Sequence, residues 1–361
     1  MQNDAVKPPE ASADRRLLKD KFDVVVVGND PSGYFCSRAA AQEGVHVLHL
    51  DSKAPTALCP EWVITQFSQG MLGPLKSPSL PRLIIQDTHS VTFHRSDARD
   101  AKPIRLAGKI YDRQVFDHAL RQQAKAAGAH FINGAFVRNV KHQEIEIDFL
   151  GESIKIRARM IVGADGVRSQ VRPALGLEAP EYLASLQYRV RLTQPNQSVH
   201  FYGSSDLRQG LGWFIPRGMQ ANVGFGVLKP VAHVLMFKLH QILDRLIAKG
   251  WIEADELSYK SGGLIPIGNP TIPPGEDGMF LLGDAMGLRD PVVPEFGIGL
   301  GTACTAGTLA GEFIAEELRA SRVPRAFGYA RLLAPLLDGR LKLQTATQPR
   351  PASLLGVLQK F

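Results

Sequence analysis

The sequence predicts an α/β fold in which a Rossmann-like nucleotide-binding layer is interrupted by an inserted, antiparallel β-rich domain. Three observations carry this. Val24–Val27 is a β-branched run that ends on Gly28 and feeds a helix of small residues, the opening of a βαβ unit. Two more apolar runs, one central and one late, also deliver glycine and aspartate to turns. Between them residues 186–228 alternate as antiparallel strands do, most clearly from Gln187 to Leu192.

The elements follow in order. Residues 1–20 are polar and mixed in charge, without the apolar stretch of a signal peptide, and read as a flexible leader. The first strand is followed by a helix over 31–43 and a strand over Val45–Leu50. Residues 55–106 are rich in proline and lack a clean period, so loop and irregular sheet are expected. A helix is expected over Asp112–Ala127, closed by Gly128. Met160–Val162 is a buried strand before a glycine turn. Residues 231–249 read as helix, Gly278–Leu282 as strand and 297–320 as a long helix. The implied division puts the cofactor domain at 21–65, 107–180 and 265–320, and the substrate domain at 66–106 and 181–264. Residues 321–361 form a basic C-terminal segment.

Bulk properties narrow the function. Of 361 residues 44% are hydrophobic and 21% charged, so a large core is available and global disorder is excluded. The net charge of +7 is concentrated: residues 319–361 hold eight basic groups and one acid, which leaves residues 1–318 neutral. That is not the broad basic surface of a nucleic-acid binder. Cys36, Cys59 and Cys304 show no CxxC spacing, which argues against a zinc site or disulfide scaffold and for a reducing, cytoplasmic setting. No apolar run of about 18–20 residues spans a membrane. The mixed apolar and basic stretch Arg331–Leu343 either packs on the body or lies on an anionic membrane surface, with Pro335 and Gly339 expected to break its helix.

The chemistry rests on three marks. In Gly28-Asn29-Asp30-Pro31-Ser32-Gly33 the outer glycines suit a tight turn and close helix–strand packing, and a pyrophosphate would sit on the helix N-terminus. Asp51 lies 23 residues after Gly28, where an acid hydrogen-bonds a ribose hydroxyl. Asp30 replaces the middle glycine, and its carboxylate would crowd and repel a pyrophosphate. The bland alternative is a strand–turn–helix corner without a ligand. The second mark is Gly163-Ala164-Asp165-Gly166, where Asp-Gly is also ordinary turn chemistry. The third is Gly283-Asp284-Ala285-Met286-Gly287 before the long helix, with Asp284 placed for a ribityl hydroxyl.

In this order and spacing the marks resemble the FAD-dependent geranylgeranyl reductase and aromatic hydroxylase superfamily, over Phe22 to Gly311. That resemblance implies a two-dinucleotide, glutathione-reductase-type domain holding FAD. Its cofactor-binding residues would be Gly28, Asp30, Pro31, Ser32, Gly33, Asp51, Arg113, Asp165, Gly166, Gly283, Asp284, Gly287, Pro291, Gly297 and Ile298. Arg113, Phe116 and Asp117 match the family's RxxFD helix. The hydroxylase branch usually has histidine where this chain has Gly287, and Asp290-Pro291 is closer to the reductase branch. Gly212–Pro216, Asn222–Gly226 and Gly263–Pro266 are similar to reductase segments, and Cys59, here followed by Pro60, sits where many reductases carry a Cys-Gly pair beside the flavin and substrate; the resemblance implies substrate contacts at Cys59, Tyr202, Trp213, Phe214 and Pro216. Trp213 could equally fill a sheet core, and Cys59 could be a buried thiol, as Cys36 and Cys304 are expected to be. Pro294–Phe296 depart from the family's small residues before the helix.

The implied activity is reduction of a double bond in an isoprenoid or other apolar small molecule, with NAD(P)H or a protein electron donor as a visiting reductant and no metal. The alternatives are a flavin monooxygenase acting on an aromatic or polyketide-like ring, and a degenerate fold without redox turnover.

Overall fold

A computed structural model describes residues 17–18, 21–52, 62–65, 83–95, 103–203, 210–228, 233–288 and 300–337. Cys59, Pro291, Pro294–Phe296, Gly297 and Ile298 lie outside them.

The first layer is built on β1 (Phe22–Val27), α1 (Pro31–Gln42) and β2 (Val47–Asp51). Val24–Val26 are fully buried, as a strand covered on both faces requires. β1 pairs in parallel with β2 and with the far half of β9 (Glu152–Gly163). β6 (His130–Asn133) extends the layer beside β2, and β16 (Met279–Leu281) extends it beside β9, both in parallel. The near half of β9 instead joins an antiparallel set with β8 (Glu144–Phe149) and β7 (Phe136–Lys141). All three predicted marks leave the carboxyl ends of adjacent parallel strands: Gly28 after β1, Ala164 after β9 and Gly283 after β16. In open parallel sheets that edge is where ligands bind.

Two helices hold the layer from one side. α2 (Arg113–Ala126) is capped by Asp112, whose Oδ1 accepts from Gln114 N at 3.0 Å and Val115 N at 3.2 Å. α5 (Leu300–Arg319) lies unusually close to α1. A Cβ added at Gly307 would stand 2.1 Å from the Ser32 carbonyl oxygen, and one at Gly311 would stand 2.4 Å from that of Cys36. Those glycines explain why the long helix is rich in small residues. Cys36 and Cys304 are buried free thiols, as expected.

The second sheet takes β3 (Trp62–Thr65), β4 (Ile84–Arg95), β5 (Pro103–Tyr111), β10 (Tyr182–Leu192), β11 (Ser198–Gly203), β12 (Leu211–Arg217), β13 (Gln220–Leu228) and β14 (Ile252–Pro266). Its order is β14-β10-β13-β12-β11-β4-β5-β3. α3 (Leu235–Ala248) covers one face through Leu239, Ile242, Leu243 and Leu246. The sequence reading differs here in two respects. β4 is a full twelve-residue strand rather than loop, because its partner β11 arrives from a distant part of the chain, while its ladder with β5 has register shifts between Ile84 and Gln86 and between Thr88 and Ser90, the irregular sheet that was expected. β3 and Gly108–Tyr111, assigned to the cofactor domain from sequence, pair within this second sheet.

The last helix, α6 (Ala326–Leu337), corrects another expectation: it continues through Pro335. Proline forfeits one helix hydrogen bond. Tertiary burial of Tyr329, Leu333 and Leu336, none of them exposed, outweighs that loss. Tyr329 stacks on Phe280 and donates to the Ala306 carbonyl at 2.8 Å. No described helix is long and apolar enough to cross a membrane.

Candidate cofactor and substrate site

The turn after β1 is dictated by contact. Gly28 has φ +108°, and a Cβ there would stand 2.2 Å from the Ala164 carbonyl oxygen. Gly33 sits where a Cβ would meet the Ala164 methyl at 2.8 Å. So both outer glycines let the first and second marks touch. Asp30 N donates to Ala164 O at 3.1 Å, and Ala164 N donates to Val27 O at 2.7 Å. The third mark closes on the first in the same way. A Cβ at Gly283, φ +52°, would fall 2.4 Å from Asp30 Oδ1.

The structure therefore brings Gly28, Asp30, Pro31, Ser32, Gly33, Asp165, Gly166, Gly283 and Asp284 into one cluster of turns. Asp30 caps α1: its Oδ1 accepts from Ser32 N at 2.8 Å and from Ser32 Oγ at 2.5 Å. The backbone of Asp284 also bonds its carboxylate. Arg113 opens α2 beside them and forms a bidentate pair with Asp117, both bonds 2.9 Å. Its charge opposes the carboxyl shifts of Asp30, Asp117 and Asp284. Asp51 ends β2, nearly buried, with the Tyr34 hydroxyl 3.5 Å from Oδ2. Asp165 Oδ2 accepts from Gln170 N at 2.6 Å, while its buried Oδ1 has no hydrogen-bond partner among the described residues. A ligand hydroxyl is the natural partner for such an oxygen.

Burial dominates the electrostatics. It raises the carboxyls of Asp30, Asp117 and Asp165 above their ordinary range. Burial, then repulsion from Asp30, raises Asp284 to about 8, against the pull of Arg113. The folded protein thus keeps a proton that the unfolded chain releases near its ordinary 3.8. The contribution of Asp284 to stability therefore falls as pH rises from about 4 to about 8 and is level above that. Asp284→Asn is expected to flatten this fall, raising Tm more at about pH 8 than at about pH 5. Circular-dichroism melts of both proteins without added nucleotide check it, and parallel pH profiles would contradict it.

Three positioning residues escaped the sequence reading. His49, fully buried in β2, places Nε2 2.5 Å from the Gly28 carbonyl oxygen and Nδ1 2.8 Å from Ser37 Oγ. Desolvation holds its pKa down at about 3, so it braces the turn as a neutral ring. The visible signal was a histidine inside the apolar strand Val47–Leu50. Arg172 donates through one Nη to Ala285 O at 2.8 Å and Thr271 Oγ1 at 3.1 Å, tying the second mark's segment to the third. Gln187 Oε1 accepts from Trp213 Nε1 at 3.1 Å and fixes the indole. Neither of these two sits in a motif.

The proposed substrate residues divide between two faces of the second sheet. Trp213 shares one face with Val91, Val199, Phe201 and Ile110, and Phe93 stacks on Phe201 at 5.6 Å. Along the chain, Ile110 of this face is followed by Arg113, and Ile267 by Asn269, whose carbonyl oxygen would lie 3.6 Å from a Cβ at Gly287. Tyr202 and Phe214 belong to the opposite face, in the core beneath α3. Strand alternation puts Pro216 on that same face as Phe214. The structure thus puts Trp213 on one face of the sheet and Tyr202, Phe214 and Pro216 on the other.

Comparisons with known proteins agree with this layout. A family model described as FAD binding domain matches residues 21–219. Digeranylgeranylglycerophospholipid reductase of Methanocaldococcus jannaschii is 28% identical over 320 residues, covering 84% of this chain and 79% of that protein. Digeranylgeranylglycerophospholipid reductase 2 of Methanococcoides burtonii is 27% identical, covering 84% and 77%. Among solved structures, a geranylgeranyl bacteriochlorophyll reductase-like protein of Thermoplasma acidophilum superposes with a TM-score of 0.76 at 23% identity, covering 94% of this chain and 90% of that one. A flavin-dependent brominase variant reaches 0.68 at 17% identity, covering 94% and 99%. At those identities the structures show a shared fold.

Proposed function

The chain belongs to the FAD-binding domain family, and from that premise we propose that it is an FAD-dependent reductase of a carbon–carbon double bond in an isoprenoid-type apolar chain. The observation that carries the substrate class is the apolar face of Trp213, Phe201 and Phe93, joined along the chain to Arg113 and Asn269 through Ile110 and Ile267. Names of the relatives point the same way, since both are reductases of digeranylgeranyl lipids.

The residues present fit FAD at several points. The missing side chains at Gly28, Gly33 and Gly283 let the three turns close on one another at the carboxyl edge of the sheet, where a dinucleotide would lie. Asp165 Oδ1 awaits a hydroxyl, and Asp51 stands where a ribose is expected. Gly28, Ser32, Gly33, Asp51, Arg113, Asp165, Gly166, Gly283, Asp284 and Gly287 would hold it. When bound and reduced, FAD would supply hydride to one carbon of the double bond, and a proton from solvent would complete the other. The sheet face and the Gln187-anchored indole orient the apolar chain and keep water from it. NAD(P)H or a protein donor visits as reductant.

The test is anaerobic incubation of the FAD-loaded protein with a geranylgeranyl lipid and a chemical reductant. The product is expected to gain two hydrogens per double bond reduced, read by mass spectrometry. No product under anaerobic conditions, with a product carrying added oxygen once oxygen is admitted, would instead identify a monooxygenase.

The basic C-terminal region also supports peripheral contact with an anionic membrane. Phe327 is 72% exposed and Leu332 41% exposed on α6, with Arg325 and Arg331 alongside. Phe327→Glu is expected to weaken co-sedimentation with anionic vesicles several-fold while leaving Tm unchanged. Equal sedimentation of the two proteins would contradict this.

A further inference from the structure

The first turn of α1 is the seat that a dinucleotide's pyrophosphate needs, and in this protein its donors are already committed. Pro31 has no N–H. Ser32 N donates to Asp30 Oδ1 at 2.8 Å, and Gly33 N donates to Asp30 O at 2.9 Å. Ahead of them Gly28 N is bound to Leu50 O at 2.8 Å and Asp30 N to Ala164 O at 3.1 Å. The Asp30 carboxylate therefore stands where an anion would stand: on a helix N-terminus, buried, and accepting from backbone and hydroxyl donors. A glycine at this position would leave Ser32 N and Ser32 Oγ free to a phosphate.

The surroundings sharpen the conflict. The groups facing Asp30 are Ser32 on α1, Arg113 and Asp117 on α2, Asp284 after β16 and Cys304 on α5. From β9 comes the Ala164 carbonyl. Only Arg113 among them is cationic, and Asp117 already pairs with it. A pyrophosphate brought against the carboxylates of Asp30 and Asp117, with one arginine already shared, is opposed by their charge unless one of them yields.

We propose that Asp30 is the residue that sets this protein's affinity for its dinucleotide: its carboxylate is an internal competitor for the pyrophosphate seat and must take up a proton and leave that seat before the diphosphate binds. The inference rests on FAD being the cofactor. It makes binding release one carboxylate from the helix end and couples it to proton uptake, so affinity rises as pH falls. Raised carboxyl titration at Asp30 brings that coupling toward the accessible pH range.

The experiment is titration of FAD into the full-length protein, followed by flavin fluorescence at about pH 6, 7 and 8. Wild type is compared with Asp30→Gly and Asp30→Asn, with thermal melts to show that each is folded. Wild-type Kd is expected to fall toward low pH, by up to about tenfold per unit for one proton taken up. Asp30→Gly is expected to bind at least about tenfold tighter than wild type at pH 8, with a shallower pH slope. Asp30→Asn keeps the helix cap and so stays folded, and it too is expected to show the shallower slope. Equal slopes in all three proteins, or Asp30→Gly binding no tighter than wild type, would overturn the competitor role while leaving FAD binding intact. Failure of every protein to bind FAD at any pH would instead overturn the cofactor reading, and this inference with it.

Discussion

Gly28→Ala is expected to cost about 3–5 kcal/mol of stability, enough to leave much of the chain unfolded at ordinary temperatures. Two penalties coincide there. The backbone sits at φ +108°, and the new methyl would lie 2.2 Å from the Ala164 carbonyl oxygen and 2.3 Å from the Asp165 Cα. Both are backbone atoms of the adjacent turn, so neither can swing aside as a side-chain tip would. Gly166→Ala is the control. Its φ of +78° is also left-handed, but nothing lies within 4 Å of the added Cβ. It should cost only about 1–2 kcal/mol, the ordinary price of that conformation. Urea unfolding of both variants decides the matter. Similar losses at Gly28 and Gly166 would show that the first and second marks are not held in contact.

Trp213→Ala is the second large effect, and it separates two roles for one ring. Truncating a buried tryptophan costs about 3–5 kcal/mol in stability, and Trp213 is 8% exposed. The ring also lies over Gly224, where a Cβ would stand 2.3 Å from the indole, and is pinned by Gln187. If that ring borders the apolar chain, its loss removes about 2–3 kcal/mol of contact with substrate, roughly 30- to 160-fold in kcat/KM. Trp213→Phe should restore most of both quantities. Stability that drops while kcat/KM for the isoprenoid stays unchanged would make Trp213 a core filler only.

The parallel layer was legible because its grammar is local: a β-branched run, a glycine turn and a small-residue helix sit together in the chain. The Val24–Gly33 stretch contains all of that, and the structure builds it as expected. The second sheet was less legible, since β4 finds its parallel partner in β11, which arrives more than a hundred residues later. The same limit applied to α6. Pro335 and Gly339 argued for a break, and the burial that overrides Pro335 depends on α5 and β16, which no local pattern reveals. Within the site, turn residues with unusual backbone were readable and their braces were not. Arg172 works through carbonyls of Ala285 and Glu178, and any arginine could do so. The two faces of β12 also needed the structure: Trp213 and Phe214 are neighbours in sequence, yet only the position of α3 tells which one is core.

Anaerobic stopped-flow oxidation of the reduced, FAD-loaded protein by a geranylgeranyl lipid is the most direct test of the reductase assignment. The lipid alone should return the oxidised flavin spectrum, at a rate that rises with lipid concentration and falls in Trp213→Ala. A flavin that stays reduced with lipid present and reoxidises only when oxygen is admitted would contradict the assignment.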